Sequence, residues 1–572
     1  MKRIGSLSFV ALLLFPLVAC TPAQGPSTSS GGQAPSGVAP TTPQRTAVVA
    51  VRGEPPSLAM KALVPFTAAL RGSLPPFNAM LDWLDENEIT YPYLAEAVPQ
   101  LNSDTWRVFP DGRMETRYTL KPNLTWHDGT PLSAEDFVFA WHVYATPALG
   151  QASTPPVGLI EEVQAPDART VVIRWRQTFF EAAALNDEFQ ALPRHILEEP
   201  FRDLDPVVFS NLPFWSSEYV GLGPYRLERW EPGAFIEGRA FDGHALGRPK
   251  IDRIRIVFIA DPNTALANVL SGEVHYVGEF VLADDSGGTL EREWAPTHGG
   301  TVLYAPTALR VSVVQMRPEY ADPPGLLDVR VRRAIAHGID AQLANEVLNS
   351  DRGIITSSLT SPRVDFYREI ERTISRYPYD TRRTQQLMEE AGFTKGSDGF
   401  FGRGGSTMQL GVWSSSGTKN EQENSVIVDS LRKAGIDANR RVFSAAQLAD
   451  AEARALIPGL STRGQATKPL LAYTSEQIPR PDNRWRGENR GGWGSAEYDR
   501  VYNSFSAALD RNERIRHNAE LEQMWTSELP GIPHWFNPSI TAHVAALQGP
   551  VARQTPDSGS GILRIHEWQW RQ

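Results

Sequence analysis

Trp126-His127-Asp128-Gly129-Thr130-Pro131-Leu132-Ser133-Ala134-Glu135-Asp136-Phe137 is the stretch on which the reading of this chain turns. His127-Asp128-Gly129 predicts a tight turn, with the Asp128 carboxylate accepting from nearby backbone and Gly129 at positive φ. Ser133 then stands where a helix N-cap belongs, with Asp136 in the first turn and Phe137, Ala140, Trp141 and Tyr144 at helical spacing. Just upstream, Met114 to Lys121 alternates around Tyr118 and Leu120 and stops at Pro122, as a strand does. Strand, turn and helix in succession point to layered α/β architecture.

The same alternation continues outward in both directions. Strands are expected at Ala47–Val51, Val171–Trp175, Ile251–Ala260, Arg310–Met316 and Gln409–Trp413. Helices are expected from Asn263 to a stop at Gly272, from Asp328, from Asp380 to a stop at Gly392, and over 496–509 and 513–527. No internal repeat is visible. The 572 residues, 41% hydrophobic and 21% charged, suffice for two or three domains. A net charge of −10 without any basic tract argues against nucleic acid as a partner. Beyond the N-terminus no apolar run is long enough to span a bilayer.

The N-terminus is distinctive. Lys2 and Arg3 precede an apolar run from Leu7 to Val18, closed by Leu17-Val18-Ala19-Cys20. This is the order of a secretory signal over residues 1–19. Cys20 is the only cysteine, so no intrachain disulfide exists. Its setting resembles the lipobox of bacterial lipoproteins, which implies a lipidated Cys20, and two or three acyl chains anchor stably where one does not. Residues 20–45 are rich in Gly, Pro, Ser and Thr and read as a flexible leash, at full extension spanning up to roughly 80 Å.

Catalytic patterns are missing. His127-Asp128 has no second histidine at metal-ligand spacing, and the eleven histidines are scattered. Gly221-x-Gly223 lacks the third glycine of a dinucleotide loop and runs into Pro224. Glu161-Glu162 would face opposite ways on a strand. No nucleophile elbow, phosphate loop or His-Glu-x-x-His occurs. No enzyme, metal site or cofactor is expected.

An ordered series of motifs resembles the peptide-type (family 5) solute-binding proteins of ABC importers. It comprises Tyr93-Leu94-Ala95-Glu96, Asp111-Gly112-Arg113, Tyr118-Thr119-Leu120-Lys121 and Trp126 through Phe137. It continues with Gly221-Leu222-Gly223-Pro224-Tyr225, Gly247 to Asp252, Leu270-Ser271-Gly272-Glu273 and Asp328 to Ile335 with Gly338-Ile339-Asp340. Tyr379-Asp380, Glu390 to Phe393, Glu497-Tyr498-Asp499 and Glu528 to Pro533 complete it. The resemblance implies a periplasmic-binding-protein-like type II fold: two α/β lobes around a cleft, with an extra α+β domain inserted in the first lobe. Lobe I is then expected at 46–75, 212–300 and 516–572, the insertion at 76–211, and lobe II at 301–515. Hinge closure over the ligand is the implied motion.

In peptide-binding relatives an aspartate of the second lobe pairs with the ligand's α-amino group, in a strand-to-loop segment. The segment matched to it here, Leu471 to Asp482, offers only Thr474 or Ser475, with Glu476 adjacent. Tyr473, Trp413, Trp485 and Trp493 are expected on the cleft side of lobe II, and Glu54 and Ser57 on the lobe I loop. The expected function is an exported, lipid-anchored, monomeric binding protein that faces the periplasm or cell wall. It would pass a peptide-like or other small organic solute to ABC permease subunits. A sensor of the same fold and an exported hydrolase are the rivals.

Overall fold

The computed structural model describes residues 46–64, 68–152, 155–283, 285–465, 468–483, 485 and 487–571. The signal sequence, Cys20 and the leash lie outside the described residues. Strands labelled in chain order are β1 (Thr46–Val51), β2 (Trp106–Val108), β3 (Met114–Thr119), β4 (Ile160–Asp167), β5 (Thr170–Trp175), β6 (Tyr225–Glu231) and β7 (Phe235–Ala240). They continue as β8 (Arg253–Phe258), β9 (Tyr276–Val277), β10 (Thr301–Val314), β11 (Gln409–Ser414), β12 (Asp437–Val442), β13 (Leu460–Gln465) and β14 (Gly531–His543). One sheet runs in the order β12-β11-β13-β10-β14-β9-β1-β8-β7-β6. A second sheet, β2-β3-β5-β4, belongs to the 76–211 segment.

Strands β10 and β14 carry the chain between lobes and pair antiparallel from Thr301–His543 to Val313–Gly531. Midway, Pro306 stands opposite Pro538, and the register shifts before Leu309. Neither proline has an N–H, so the ladder has no donor on either side at that point. The Thr307 hydroxyl donates to the Asn537 carbonyl at 2.9 Å beside the gap.

On one side of this crossing lies lobe I, with β1 parallel to β8 and β9. Its core, including Val49, Phe77, Tyr118, Trp126, Ile256 and Trp568, runs without a break into the 76–211 segment and the C-terminal residues. The insertion thus shares lobe I's core. On the other side, lobe II places β11, β12 and β13 beside β10. Helices α1 (Val329–Gly338), α2 (Thr381–Glu390) and α3 (Thr418–Lys433) cover one face. Helices α4 (Ala496–Ala507) and α5 (Arg511–Glu528) cover the other, where Val311 and Val313 meet Tyr498, Leu521 and Trp525.

The expected strands and helices are present, several opened by an aspartate. Asp328 and Asp380 accept from the amides of Arg330 and of Arg382 and Arg383. Gly272 and Gly392 end their helices at φ +77° and +84°. Two expectations change, and one strand was not expected. Ser133 is not the cap: the helix 135–144 follows Ala134, and Asp136 accepts from the Ser133 amide at 2.9 Å. Because α5 packs on α4 in lobe II, the return to lobe I falls within β14, later than residue 516. Strand β14 itself, with Pro533 and Pro538 inside it, has no sequence signature.

The opening motif acts as a joint. Gly129 has φ +91°, and Asp128 accepts from the Thr130 amide at 2.9 Å. His127 accepts at Nδ1 from the Gly221 amide (3.2 Å), which leaves Nε2–H to donate to the Gly223 carbonyl (3.0 Å). The glycines are required because a Cβ at Gly221 would lie 2.1 Å from the Phe77 carbonyl oxygen. Two distant motifs thus meet and fasten the inserted segment to β6. No helix among the described residues is long and apolar enough to cross a membrane.

Candidate binding cleft

The lobes meet where β13 ends. Lys468, at φ +58° just before Pro469, directs Nζ to Glu181 Oε2 of the inserted segment at 3.1 Å. Beside this pair, Phe180 meets Phe505 of α4 at a centroid distance of 5.4 Å and 66° between planes. The Arg514 guanidinium of α5 lies 4.9 Å over the Phe180 ring. Lobe II therefore inserts a cation and an aromatic edge into lobe I.

Lobe I surrounds that cation with acids. Burial alone would lower the Lys468 pKa, but Glu181, Glu188 and Asp557 outweigh it and hold the ammonium above its ordinary value. Burial pushes the Asp557 carboxyl up, with Lys468 and Arg553 opposing. Arg553 forms a two-pronged pair with Glu279, Nε–Oε1 at 3.0 Å and Nη2–Oε2 at 2.9 Å. Deeper in lobe I, Lys61 Nζ lies 2.9 Å from Glu188 Oε2, and Arg71 pairs with Asp187. A cavity of about 170 Å³ opens between these pairs, lined also by Met60 and Gln151.

The neighbours Asp187 and Glu188 are driven in opposite directions. Desolvation raises Asp187 beyond what Arg71 recovers. At Glu188 desolvation is outweighed by Lys61, and the carboxyl falls. Both keep a third or more of their side-chain surface accessible, 34% and 43%. Groups reached by solvent yet desolvated by surrounding protein are the walls of a concavity.

The residues singled out from sequence scatter. Glu54 accepts from Trp230 Nε1 (2.5 Å) and the Gly233 amide (2.9 Å), pinning the β6–β7 turn. Ser57 is buried and accepts from the Ala59 amide. Tyr473 packs edge-on to Trp525 at 5.3 Å and Trp493 to Tyr498 at 5.1 Å, both inside the core of lobe II. Thr474 is buried and donates to the Leu471 carbonyl. Core packing and local hydrogen bonds thus occupy Ser57, Tyr473, Thr474 and Trp493. Glu476 is exposed, and Trp485 is partly exposed at φ +58°. Trp413 is partly exposed, its ring 5.4 Å from Phe443.

The matched segment also needs correction. Residues 471–482 form the end of a helical turn and two 3-10 turns, whereas the strand leading to the lobe junction is β13. The group that reaches lobe I from beyond the end of β13 is Lys468. Lys61, Lys468 and Asp557 lie far along the chain from Glu181, Asp187 and Glu188 and share no motif with them, so the group escaped the sequence reading.

Two α/β lobes on a shared sheet, crossed by two strands and closed on a charged cleft, define a two-lobed binding protein. The chain belongs to the bacterial extracellular solute-binding proteins, family 5 Middle, whose model matches residues 96–471. It is 25% identical over 296 residues to a putative ABC transporter peptide-binding protein of Brucella ovis, covering 51% of each chain. It thus matches about half the length of that relative. It is 23% identical over 459 residues to the oligopeptide-binding protein AppA of Bacillus subtilis, covering 77% of each. In fold it is similar to NikZ of Campylobacter jejuni in complex with Ni(L-His), with a TM-score of 0.73, 19% identity, and coverage of 92% of this chain and 100% of that one.

Proposed function

We propose that this protein captures a peptide-like or other small organic solute outside the cytoplasm and delivers it to the permease subunits of an ABC importer. The observation that carries this reading is the cleft itself, where Lys468 of lobe II meets Glu181 of lobe I near the charged Lys61–Glu188 and Arg71–Asp187 pairs. Membership of the family and the peptide-binding names of its relatives support it. Its working cycle is capture, twisting closure about β10 and β14, and recognition of the closed form by the membrane partner. The Leu17-Val18-Ala19-Cys20 sequence supports export and a lipid anchor at Cys20, which keeps a monomer beside its permease. The cleft performs no chemical step.

Native mass spectrometry of the full chain from its own host tests the reading. A co-purifying small solute, released on unfolding, is the expected result. Failure of co-purified material, peptide libraries and metabolite panels to bind would overturn it. Metabolic labelling with a fatty acid, with and without Cys20→Ala, tests the anchor.

A further inference from the structure

Strands β8, β7 and β6 form the lobe I edge of the main sheet, and they present an arginine-rich face. Tyr225, Ile236, Ile254 and Ile256 are buried in the core of lobe I. The alternate positions Arg226, Phe235, Glu237, Arg239, Arg253 and Arg255 therefore share the reverse face. A register shift between Leu227 and Arg229 brings Arg229 onto that face as well. The guanidinium groups of Arg255 and Arg229 lie 3.7 Å and 5.2 Å from the Phe235 ring centroid. Three ion pairs use the acids of these strands: Arg253–Glu228 at 3.0 Å, Arg229–Glu231 at 2.7 Å and Arg255–Glu237 at 3.4 Å.

Arg226 and Arg239 are left over. Both are exposed, and among the described residues neither side chain makes a hydrogen bond or an ion pair. They stand directly opposite each other in the antiparallel ladder. Like charges in that position are destabilising, and an anion lying between them removes the cost. Arg253 is the next in register after Arg239, and Thr46 of β1 is the next after Arg253. At the ordinary strand spacing this row crosses four strands in about 14 Å. Thr46 is also where the chain arriving from Cys20 and the 20–45 leash enters the fold. The cationic row and the point of attachment thus lie side by side on a chain whose net charge is −10.

We propose that the row Arg226, Arg239 and Arg253 is a membrane-docking surface that binds the phosphates of anionic phospholipid headgroups and lays lobe I on the bilayer that holds Cys20. The proposal rests on the lipid-anchor reading and adds an orientation to it. A guanidinium fork matches a phosphate with two parallel hydrogen bonds, and an unpaired one has both to give. Three arginines alone hold a soluble protein weakly, because salt screens them beyond about 8–10 Å. A tether that ends beside the row keeps it within that range, so the second contact is made at high effective concentration. The acidic remainder of the molecule is repelled by the same surface, which turns the arginine face toward it. Lobe I is then the held lobe and lobe II the one that swings.

Cys20 is the sole thiol, so the full chain can be coupled there to vesicles carrying a maleimide lipid, whether or not cells lipidate it. Vesicles of phosphatidylcholine are compared with vesicles of phosphatidylcholine and phosphatidylglycerol in equal parts. Phenylglyoxal modification and peptide mapping then read Arg226 and Arg239, with exposed Arg382 of α2 as the internal control. Protection of about threefold or more at Arg226 and Arg239 on the anionic vesicles, absent at Arg382 and lost in high salt, is expected. Equal rates on the two vesicles overturn the proposal. Equal protection by inorganic phosphate without vesicles also overturns it, since that is a free-anion site. In Arg226→Gln/Arg239→Gln the anionic vesicles should no longer protect Arg229, and protection that persists there sinks the row as the contact. Arg239→Glu sets an acid opposite Arg226 and should raise the urea midpoint, whereas an unchanged midpoint removes the claim that the pair awaits an anion. Failure of fatty-acid labelling at Cys20 in cells would remove the natural anchor and leave the vesicle result standing.

Discussion

Lys468 Nζ and Glu181 Oε2 stand 3.1 Å apart, and they belong to opposite lobes. Their side chains are 44% and 33% accessible, so water screens the pair, and by itself it stabilises closure by about 0.2–1 kcal/mol. Lys468→Ala also leaves Glu181, Glu188 and Asp557 facing one another. The population of the closed form is expected to fall about two- to fivefold, read as a larger radius of gyration in solution scattering. Solute affinity should fall with it, and the melting temperature should hardly move. An unchanged radius of gyration would show that the pair does not hold the lobes.

Acid should weaken the fold through histidines kept neutral. Burial pushes His127, His244 and His566 down to about 4 and His534 to about 3. Unfolding restores an ordinary value near 6.5. The folded state therefore loses ground as pH falls below 6.5 and stops losing it below the folded values. Between pH 7 and 5 each group contributes at most roughly 2 kcal/mol of this loss. The buried carboxyls of Asp82 and Glu522, raised to about 7 and about 6, act in the opposite sense and recover part of it. The urea midpoint should be lower at pH 5 than at pH 7, and His127→Gln should flatten that dependence.

Gly223→Ala would place a Cβ 2.2 Å from the Asn78 amide nitrogen and 2.3 Å from the Phe77 carbonyl carbon. Both contacts are backbone, so nothing flexible can yield. A loss of about 3 kcal/mol or more is expected. Denaturant titration checks it, with Gly233→Ala, which meets open space at φ +73°, as the milder comparison at about 1 kcal/mol.

Arg332 is buried and donates to the carbonyls of Glu528 (2.7 Å), Leu326 (2.9 Å) and Leu327 (3.0 Å). Arg332→Met removes the donors from all three, at a cost of about 3 kcal/mol. Arg332→Lys should recover only part, because an ammonium lacks the planar fork. Chemical denaturation of the two variants measures the difference.

Local structure was legible where a single side chain decides it. Asp328 and Asp380 before apolar periodicity announced their helices, and Gly272 and Gly392 announced the ends. Strand β14 was hidden because its interior prolines suit only a gap in a ladder, which exists only once Pro306 and Pro538 face each other. Tyr473 and Trp493 misled for a related reason. An aromatic side chain near a predicted loop carries no mark of which face it takes, and here both fill the core between β10 and α5. The cleft walls were out of reach altogether, since Lys61, Glu188, Lys468 and Asp557 become neighbours only through the fold.

The crossing strands also bear on how this molecule can be divided. Because β10 and β14 sit in the middle of one continuous sheet, neither lobe ends in a finished boundary there. Cutting the chain into separate halves would leave each with a long row of bare amides and carbonyls, an open edge that invites pairing with any other strand. The lobes are free to twist but not to live apart, and isolated halves would associate with one another or precipitate rather than fold as two soluble units.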